Sequence, residues 1–246
     1  MNNHKLLLFI VSLILFTGTS HALQTEKRAI SMFEKAVSSP SVPGLSVAVA
    51  DRNGIVWSKG FGYSDIENMV PMTKETKLRI GSVAKVITTA ALMRLYEQGK
   101  VNLDSDIREL VTEWPKKHKN ITLNHLTSHT SGIRHYKHSH TADESLSNIK
   151  YKNTIDALNI FKNDPLKFTP GTEFSYSTYG WTLISAVMEK ATGTKDFKAI
   201  VFDEVIAPLN LDNTTFDEND VVIKNRQRPY TYSHGKLYNS QEVDVS

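Results

Sequence analysis

The first part of the chain combines a helical pattern of apolar residues with a strand pattern. Between Thr25 and Val37, apolar side chains recur at the spacing that buries one face of a helix. From Leu45 to Ala50, branched apolar residues alternate with smaller ones, which predicts a strand packed on one side. Asn53-Gly54 predicts a tight turn in which both residues have positive φ, and a second strand continues to Tyr63. The sequence therefore predicts a helix followed by a β-hairpin.

Two long apolar segments predict the main helices. The first runs from Ser82 to Gly99 and is apolar on most sides, so we expect a central, buried helix. The second runs from Trp181 to Thr192 and ends at Gly193. Alternating aromatic residues from Tyr230 to Tyr238 predict a last hairpin. This order predicts an α/β (α+β) fold in which helices flank an antiparallel sheet, with a large helical insertion, in one domain over residues 23–246.

The N-terminus has the order of a secretory signal peptide over residues 1–22. Lys5 precedes an apolar run from Leu6 to Phe16, and Ser20-His21-Ala22 places small residues at the cleavage positions. The run is too short to span a bilayer, so we expect cleavage, no stable membrane span and a secreted or periplasmic protein. An uncleaved N-terminal anchor is the alternative.

The composition excludes several classes of protein. Lys and Arg number 29 against 26 Asp and Glu, so the net charge is only +3, and 40% of the residues are hydrophobic, as in ordinary globular proteins. The densest basic run, Lys116, Lys117 and Lys119, has no interleaved aromatic residues, so we expect no nucleic-acid partner. Because the chain has no cysteine, it can form neither disulfides, thiolate metal sites nor a cysteine nucleophile.

Ser82-Val83-Ala84-Lys85 carries the first candidate chemistry. A serine hydroxyl attacks a carbonyl only after a base takes its proton, and a lysine one helical turn away can reach that hydroxyl. The start of a helix also favours the negative charge that develops in such a reaction. The same S-x-x-K pattern recurs at Ser147, in a polar stretch, and at Ser233, in a predicted hairpin tip. Only Ser82 opens a long apolar helix, so Ser82 and Lys85 are the candidates.

Tyr176-Ser177-Thr178 is the second candidate motif, in a loop between Pro170 and Gly180. A tyrosine beside Ser82 can shuttle protons, and Thr178 can hold Lys85 or a substrate amide by hydrogen bonds. Taken alone, Tyr176 is more typical of a half-buried structural aromatic residue. Its occurrence in this order after the Ser82 motif favours the catalytic interpretation.

Together these segments resemble the serine β-lactamase and penicillin-binding-protein superfamily, in particular its class C-like branch and the LACTB-type serine peptidases. The resemblance covers the chain from about Val42 to its end. The matching blocks are Arg79 to Lys85, Gly99 to Asp104, Ile121 to Ile133 continued by Arg134-His135-Tyr136, and Pro170 to Gly180.

The resemblance implies a serine hydrolase that needs no metal or cofactor and forms an acyl-enzyme on Ser82. Lys85 would be the activating base, Tyr176 would assist proton transfer, and the backbone N–H of Ser82 would donate to the oxyanion. Thr178 stands where class C β-lactamases carry asparagine. We therefore expect a peptidase or esterase acting on a small-molecule or peptide amide or ester, rather than a β-lactamase proper.

One part of the family's pattern is missing: a Lys/His-Thr/Ser-Gly strand that supplies the second oxyanion N–H. No segment after Thr178 matches it, since His234-Gly235-Lys236 lacks the hydroxyl. We therefore expect a chain that stops within the resemblance, with an incomplete sheet whose exposed edge favours self-association. This leaves an alternative from another class, a non-catalytic binding or regulatory protein on the same scaffold, or an inactive truncated paralogue.

A zinc hydrolase is the third interpretation. Three histidines and two carboxylates lie close together in the sequence: His135, His138, His140, Asp143 and Glu144. Their spacing fits no usual zinc motif, so a solvated loop is favoured and no metal is expected. We expect His129 to stabilise the turn before Gly132 rather than to act in catalysis.

Overall fold

The computed structural model describes residues 24–137, 144–146, 149, 151–194 and 196–240. The chain forms two compact units. The first consists of residues 24–78 with residues 224–240, and the second consists of residues 79–223. The predicted signal peptide and part of the histidine-rich segment, including His138, His140 and Asp143, lie outside the described residues.

The first unit contains one helix and two small antiparallel sheets. Its elements are helix α1 (residues 24–37), strands β1 (Gly44–Asp51), β2 (Gly54–Asp65) and β3 (Val70–Pro71), and strands β4 (Tyr230–Ser233) and β5 (Lys236–Asn239). The order β1-β2-β3 forms one sheet, and β4 and β5 form a separate two-stranded ribbon. The predicted first helix and both predicted hairpins are thus confirmed.

Aromatic packing joins α1 to the first hairpin. The ring of Phe33 on α1 lies 6.3 Å from that of Trp57 and 5.4 Å from that of Phe61, both on β2. On the same strand, a Cβ at Gly60 would lie 2.3 Å from the carbonyl oxygen of Met72. Only glycine therefore allows β2 to approach that backbone so closely.

The first hairpin differs from its sequence prediction in two details. Only Gly54 of the Asn53-Gly54 pair has positive φ, because the turn is made by Arg52-Asn53 and the Asp51 carboxylate accepts the Asn53 N–H at 2.7 Å. Val49, expected on the packed side, is 53% exposed. The first half of β1 is half-buried and the second half is exposed, so the strand is packed over only part of its length.

The second unit is mainly helical. Its helices are α2 (Ala84–Glu97), α3 (Leu123–Thr127), α4 (Thr154–Ala157), α5 (Tyr179–Thr192) and α6 (Phe197–Val201), which continues as a π-helix (Phe202–Ile206). Short 3₁₀ turns lie at Gly81–Val83, Ile107–Glu109, Glu144–Leu146 and Leu158–Ile160. The core is apolar and centred on α5, where Leu183, Ile184 and Met188 are fully buried. Gly193 closes α5 in the left-handed conformation, as predicted.

Helix α2 is less buried than its sequence predicts. Ala91, Leu92 and Leu95 lie in the core, but Val83 and Val86 are 63% and 69% exposed. The helix carries apolar residues on two faces, and the core of this unit covers only one of them. The 3₁₀ turn that holds Ser82 and the first helical turn that holds Lys85 are therefore accessible. Within the described residues, no helix is both long and apolar enough to cross a membrane.

Candidate active site

Ser82 lies in the 3₁₀ turn that leads into α2. Gly81, with φ of +51°, lets the backbone turn into the helix immediately before it, in a conformation that L residues rarely adopt. Arg79 anchors the approach to this turn, because its guanidinium pairs with Asp217 and donates to the Asn219 side chain at 3.1 Å. The hydroxyl of Ser82 is thereby presented at the surface, at the start of a helix of 14 residues.

Lys85 follows Ser82 by one helical turn and contacts its hydroxyl. The ammonium Nζ donates to Ser82 Oγ at 3.0 Å. The same Nζ lies 5.2 Å from the centre of the Tyr176 ring and 5.8 Å from that of Trp181. Two aromatic faces therefore hold the ammonium in place beside the serine.

Tyr176, from a loop that is distant in sequence, joins Ser82 and Lys85. These three residues form the Ser82 cluster. The hydroxyl of Tyr176 lies 2.6 Å from Ser82 Oγ, so the two oxygens share a short hydrogen bond. Partial burial acts to raise the pKa of the Tyr176 phenol, but hydrogen bonds with Lys85, Ser82 and Thr178 and the charge of Lys85 together lower that pKa below its ordinary value. Because a lowered pKa makes the phenolate more available, Tyr176 can accept the serine proton once its phenol has ionised.

Hydrogen bonds connect the Tyr176 loop to the segment that follows α3. Ser177, which is buried, donates its hydroxyl to the carbonyl of Arg134 at 2.8 Å and accepts the Gly180 N–H at 3.0 Å. The Ser177 N–H donates to Nδ1 of His129 at 3.2 Å, and the Thr178 N–H donates to Nδ1 of His135 at 3.3 Å. These bonds set the position of the Tyr176 backbone.

Thr178 occupies a position different from the one expected for a lysine-holding residue. It stands at the N-cap of α5, but its side chain makes no capping hydrogen bond. Its hydroxyl interacts with the Tyr176 phenol, and the expected bond to Lys85 is not formed. Thr178 is thus beside the Ser82 cluster, in reach of the phenol.

The histidine-rich segment also differs from its prediction. His135, expected in a solvated loop, is half-buried, and its ring meets the Tyr176 ring edge-on at 5.3 Å. Glu144 accepts hydrogen bonds from Arg134 and from the hydroxyl of Tyr179. Arg134 pairs with both Glu144 and Asp164. Among the described residues, no group of three or more potential ligands could hold a metal ion.

The S-x-x-K match at Ser233 is a structural coincidence. Ser233 and Lys236 pair across the β4–β5 turn, and the Ser233 hydroxyl bonds to Nδ1 of His234 at 2.8 Å. The motif therefore spans a hairpin instead of a helical turn. Ser147 lies outside the described residues.

Sequence reasoning missed three neighbours of the cluster: His129, His135 and Trp181. His129 stacks on the Tyr176 ring, with 4.4 Å between ring centres, and Trp181 lies under the Lys85 ammonium. Their only sequence signal was their place within, or next to, the blocks that resemble the family. No periodicity or spacing indicates which aromatic residue faces a site.

Known proteins that are similar to this chain agree with the resemblance seen in its motifs. The mouse protein named serine beta-lactamase-like protein LACTB, mitochondrial, is 31% identical over 93% of this chain and 54% of its own length. Among solved structures, "EstCE1, a hydrolase with promiscuous acyltransferase activity" is 26% identical, with a TM-score of 0.77 over 88% of this chain and 59% of that one. D-amino acid amidase from Ochrobactrum anthropi, at 21% identity, shares the fold with a TM-score of 0.74, over 86% of this chain and 61% of that one.

The chain spans about half the length of the curated relatives it matches first. The family described as Beta-lactamase matches residues 29–244. This match covers nearly all of both units, including the Ser82 turn and the Tyr176 loop. The chain therefore belongs to the beta-lactamase family, within the superfamily of serine β-lactamases and penicillin-binding proteins that its motifs predicted.

Proposed function

We propose that this protein is a serine hydrolase that cleaves amides or esters through an acyl-enzyme on Ser82. One observation carries the proposal: Ser82 Oγ lies 2.6 Å from the Tyr176 hydroxyl and 3.0 Å from the Lys85 ammonium. A nucleophile in contact with a proton acceptor and a cation is the arrangement that acyl transfer requires. Membership of the beta-lactamase family supports the same reaction class.

In the proposed reaction, the Tyr176–Lys85 pair starts one proton short, as phenolate with ammonium or as phenol with neutral amine. Ser82 Oγ attacks the substrate carbonyl carbon while its proton moves to the basic member of this pair. A C–O bond forms, and the carbonyl oxygen becomes an oxyanion near the start of α2, where backbone N–H groups and the helix dipole favour negative charge. The carbonyl then re-forms, the bond to the leaving group breaks, and the stored proton passes to the leaving group. Water hydrolyses the acyl-Ser82 by the same steps in reverse.

Tyr176 is the proton acceptor that the geometry favours. Its oxygen is the nearer of the two neighbours of Ser82 Oγ, and the adjacent ammonium stabilises a phenolate. Lys85 then acts as the cation that keeps the phenol acidic and as the donor that orients Oγ. Which group takes the proton in each half-reaction is tested by comparing single substitutions, as described below.

We propose a small molecule or a peptide as the substrate, not a nucleic acid. Thr178 beside the phenol, in place of asparagine, favours an ester or peptide over a β-lactam. The similar structure EstCE1, whose title describes a hydrolase with acyltransferase activity, supports the ester. An acyl-enzyme on an open serine could also transfer its acyl group to an acceptor other than water.

The direct test is covalent labelling of the full chain. We expect a fluorophosphonate, a fluorescent penicillin or both to form an adduct that peptide mass spectrometry maps to Ser82, and p-nitrophenyl esters to be turned over. Ser82→Ala should abolish both signals. Ser233→Ala is the matched control, because it removes the serine of the same S-x-x-K pattern in the β4–β5 hairpin, and labelling should persist. Absence of an adduct with both reagents, in protein whose circular dichroism shows a cooperative unfolding transition, would favour the non-catalytic alternative.

We also propose that residues 1–22 direct export. The apolar run before the small residues at positions 20 and 22 supports this interpretation. Expression of the full chain in a bacterial host should give an exported product whose N-terminal sequence begins at Leu23. Leu13→Arg, which interrupts the apolar run, should retain the full-length chain in the cytoplasm. An exported product of full length, or export of the Leu13→Arg variant, would contradict a cleavable leader.

A further inference from the structure

His129 contacts the Tyr176 loop on both sides of the tyrosine. Its carbonyl accepts the Ser175 N–H at 2.9 Å, and its Nδ1 accepts the Ser177 N–H at 3.2 Å. Its ring lies against the Tyr176 ring, with 4.4 Å between centres and 34° between planes. One residue therefore fixes the backbone before and after Tyr176 and supports its ring.

The backbone of His129 is adapted to this position. It has φ of +57°, the left-handed conformation, directly after α3. That conformation is uncommon for residues other than glycine, although histidine, like asparagine and aspartate, adopts it several-fold more often than most residues do. It turns the chain so that the carbonyl and the imidazole of His129 both face the Tyr176 loop.

The hydrogen bond from the Ser177 N–H to Nδ1 determines which protonation state the His129 imidazole can have. Nδ1 can accept an N–H only when it carries no proton, so the ring must be neutral with its proton on Nε2. Protonation would turn Nδ1 into a donor facing another donor. The charged and titratable groups around the ring are the Lys85 ammonium on α2, the His135 imidazole and the Tyr176 phenol. The neighbours on its remaining sides, Phe174 and Trp181, are uncharged.

These surroundings favour the neutral ring. Burial, followed by the charges of Lys85 and His135, lowers the pKa of the His129 imidazole below its ordinary value. Among the described residues, the charged groups that lower this pKa are Lys85 and His135, and neither is a carboxylate. The ring is therefore neutral at neutral pH, and it gains its proton only in more acidic solution than an exposed histidine does.

We infer that His129 is a positioning residue that holds Tyr176 against Ser82 while its imidazole is neutral, and that protonation of the ring releases the tyrosine. The inference rests on the proposed function for its consequence, because loss of the Ser82–Tyr176 contact would remove the proton acceptor of the nucleophile. It predicts that reactivity at Ser82 falls in acidic solution through His129, a residue that does not touch the serine.

The variant His129→Asn separates this role from a structural one. Asparagine adopts the left-handed conformation readily, and its side-chain oxygen can accept the Ser177 N–H, but it does not titrate. The matched control is His125→Asn. Nδ1 of His125 likewise accepts a backbone N–H, from Thr122 at 3.3 Å in the cap of α3, and no hydrogen bond or ring contact within the described residues joins His125 to Ser82, Lys85 or Tyr176.

Two measurements on the full chain test the inference. The first is the rate of fluorophosphonate labelling at Ser82 between about pH 5 and about pH 8, the range over which histidine charge changes. Ionisation of Tyr176 already lowers the rate by about tenfold for each pH unit below its own midpoint, and we expect the wild type to show a further acid limb, with a further loss of about tenfold for each pH unit below the midpoint of His129. His129→Asn should remove this further limb and keep its rate near neutral pH within about tenfold of the wild type. His125→Asn should keep the limb.

The second measurement does not need a reactive serine. In a nuclear magnetic resonance titration, the His129 imidazole, the Ser177 amide and the Tyr176 ring should shift with a common midpoint, and the amide and ring shifts should vanish in His129→Asn. An acid limb unchanged by His129→Asn, or a Ser177 amide that does not follow His129, would overturn the inference. If no variant is labelled at any pH, the proposed function fails, and the common midpoint alone then decides whether His129 holds the loop.

Discussion

At the residue scale, the reactivity of Ser82 depends on two contacts of different kinds. Lys85 supplies a fixed positive charge one helical turn away, which local sequence alone brings close to the serine. Tyr176 supplies an oxygen from a loop 94 residues further along the chain. The first contact exists wherever this segment is helical, whereas the second requires the whole second unit to be folded.

The hydroxyl of Tyr176 should therefore be essential for activity but not for folding. Tyr176→Phe keeps the ring contacts with His129 and Lys85 and removes only the proton acceptor. We expect labelling or ester hydrolysis to fall by about 10²–10⁴-fold, the usual contribution of a general base. The melting temperature should stay unchanged, because the tyrosine is 37% exposed. Rates are compared with those of Tyr238→Phe, a hairpin tyrosine, which should match the wild type.

Lys85→Met tests which group accepts the proton. If Tyr176 is the acceptor, loss of the ammonium raises the pKa of the phenol, and the alkaline part of the rate profile should recover activity as the phenol ionises. If Lys85 is the acceptor, no pH should restore activity. Rate measurements between about pH 7 and about pH 11, around the ordinary tyrosine pKa, distinguish these outcomes.

At the element scale, the turn from Arg79 to Val83 determines where α2 begins. Gly81 adopts positive φ at this point, and the pairing of Arg79 with Asp217 holds the incoming chain. Helix α5 begins equally abruptly after the Tyr176 loop, where the Ser177 hydroxyl accepts the Gly180 N–H. Both helices therefore begin next to a residue that also positions a member of the Ser82 cluster. Gly81 positions Ser82, and Ser177 positions Tyr176.

The same substitution at two glycines should give opposite results. Gly81→Ala forces a Cβ into the left-handed region and should cost about 1–2 kcal/mol of stability and displace Ser82. Gly180→Ala is in helix α5, where an added Cβ would lie 3.7 Å from Leu126, an ordinary contact. It should be neutral or stabilise by up to about 1 kcal/mol. Urea unfolding measures both effects. Equal changes in the free energy of unfolding at the two sites would show that the positive φ of Gly81 does not cause the destabilisation in Gly81→Ala.

At the scale of the whole molecule, an ion-pair network in the second unit makes stability depend on pH. Arg134 pairs with Glu144 and Asp164, and its guanidinium lies over the Tyr179 ring at 5.0 Å. Burial acts to raise the pKa of Glu144, but hydrogen bonds from Arg134, Lys137 and Tyr179 lower it overall. The hydrogen bond from Arg134 lowers the pKa of Asp164. Both carboxylates thus bind fewer protons when folded than when unfolded.

Stability should accordingly fall in acid. The contribution of the two carboxylates is complete above their unfolded pKa values and is lost as the pH falls from about 5 through the lowered folded values. Arg134→Met should destabilise the fold by about 3 kcal/mol near neutral pH and flatten the dependence on pH. Urea titrations at several pH values measure this. Arg94→Met removes an exposed pair with Glu97 and should change the free energy of unfolding by less than about 1 kcal/mol.

The exposed edge of the first hairpin concerns association between copies of the chain. In the described part of the chain, β1 pairs only with β2, and Ile55 and Val56 near the turn are 71% and 66% exposed. An unpaired strand edge beside exposed apolar residues favours pairing between chains. We propose self-association through this edge, so light scattering after size exclusion should show a mass that rises with concentration. Val56→Lys should reduce it, and Val222→Lys, in an exposed loop, should not. A constant monomer mass would contradict the proposal.

The amino-acid sequence alone determined the local elements and the identity of the reactive pair. Periodicity and turn residues predicted α1, both hairpins, α2 and α5, because these depend on neighbours in the chain. Ser82 and Lys85 are one helical turn apart, so their proximity also follows from local structure. The predicted burial of α2 was wrong, since a helix with two apolar faces does not show in its sequence which face the core will cover.

Only the tertiary structure decided what surrounds this pair. It brought Tyr176 to 2.6 Å from Ser82, placed Thr178 beside the phenol, and packed His135, which was predicted in a solvated loop, against the tyrosine ring. The contacts of Tyr176 with Ser82 and with His135 join segments tens of residues apart through side-chain hydrogen bonding and ring packing. Such contacts depend on which loops lie close together in the folded chain, and neither periodicity nor spacing in the sequence predicts that proximity.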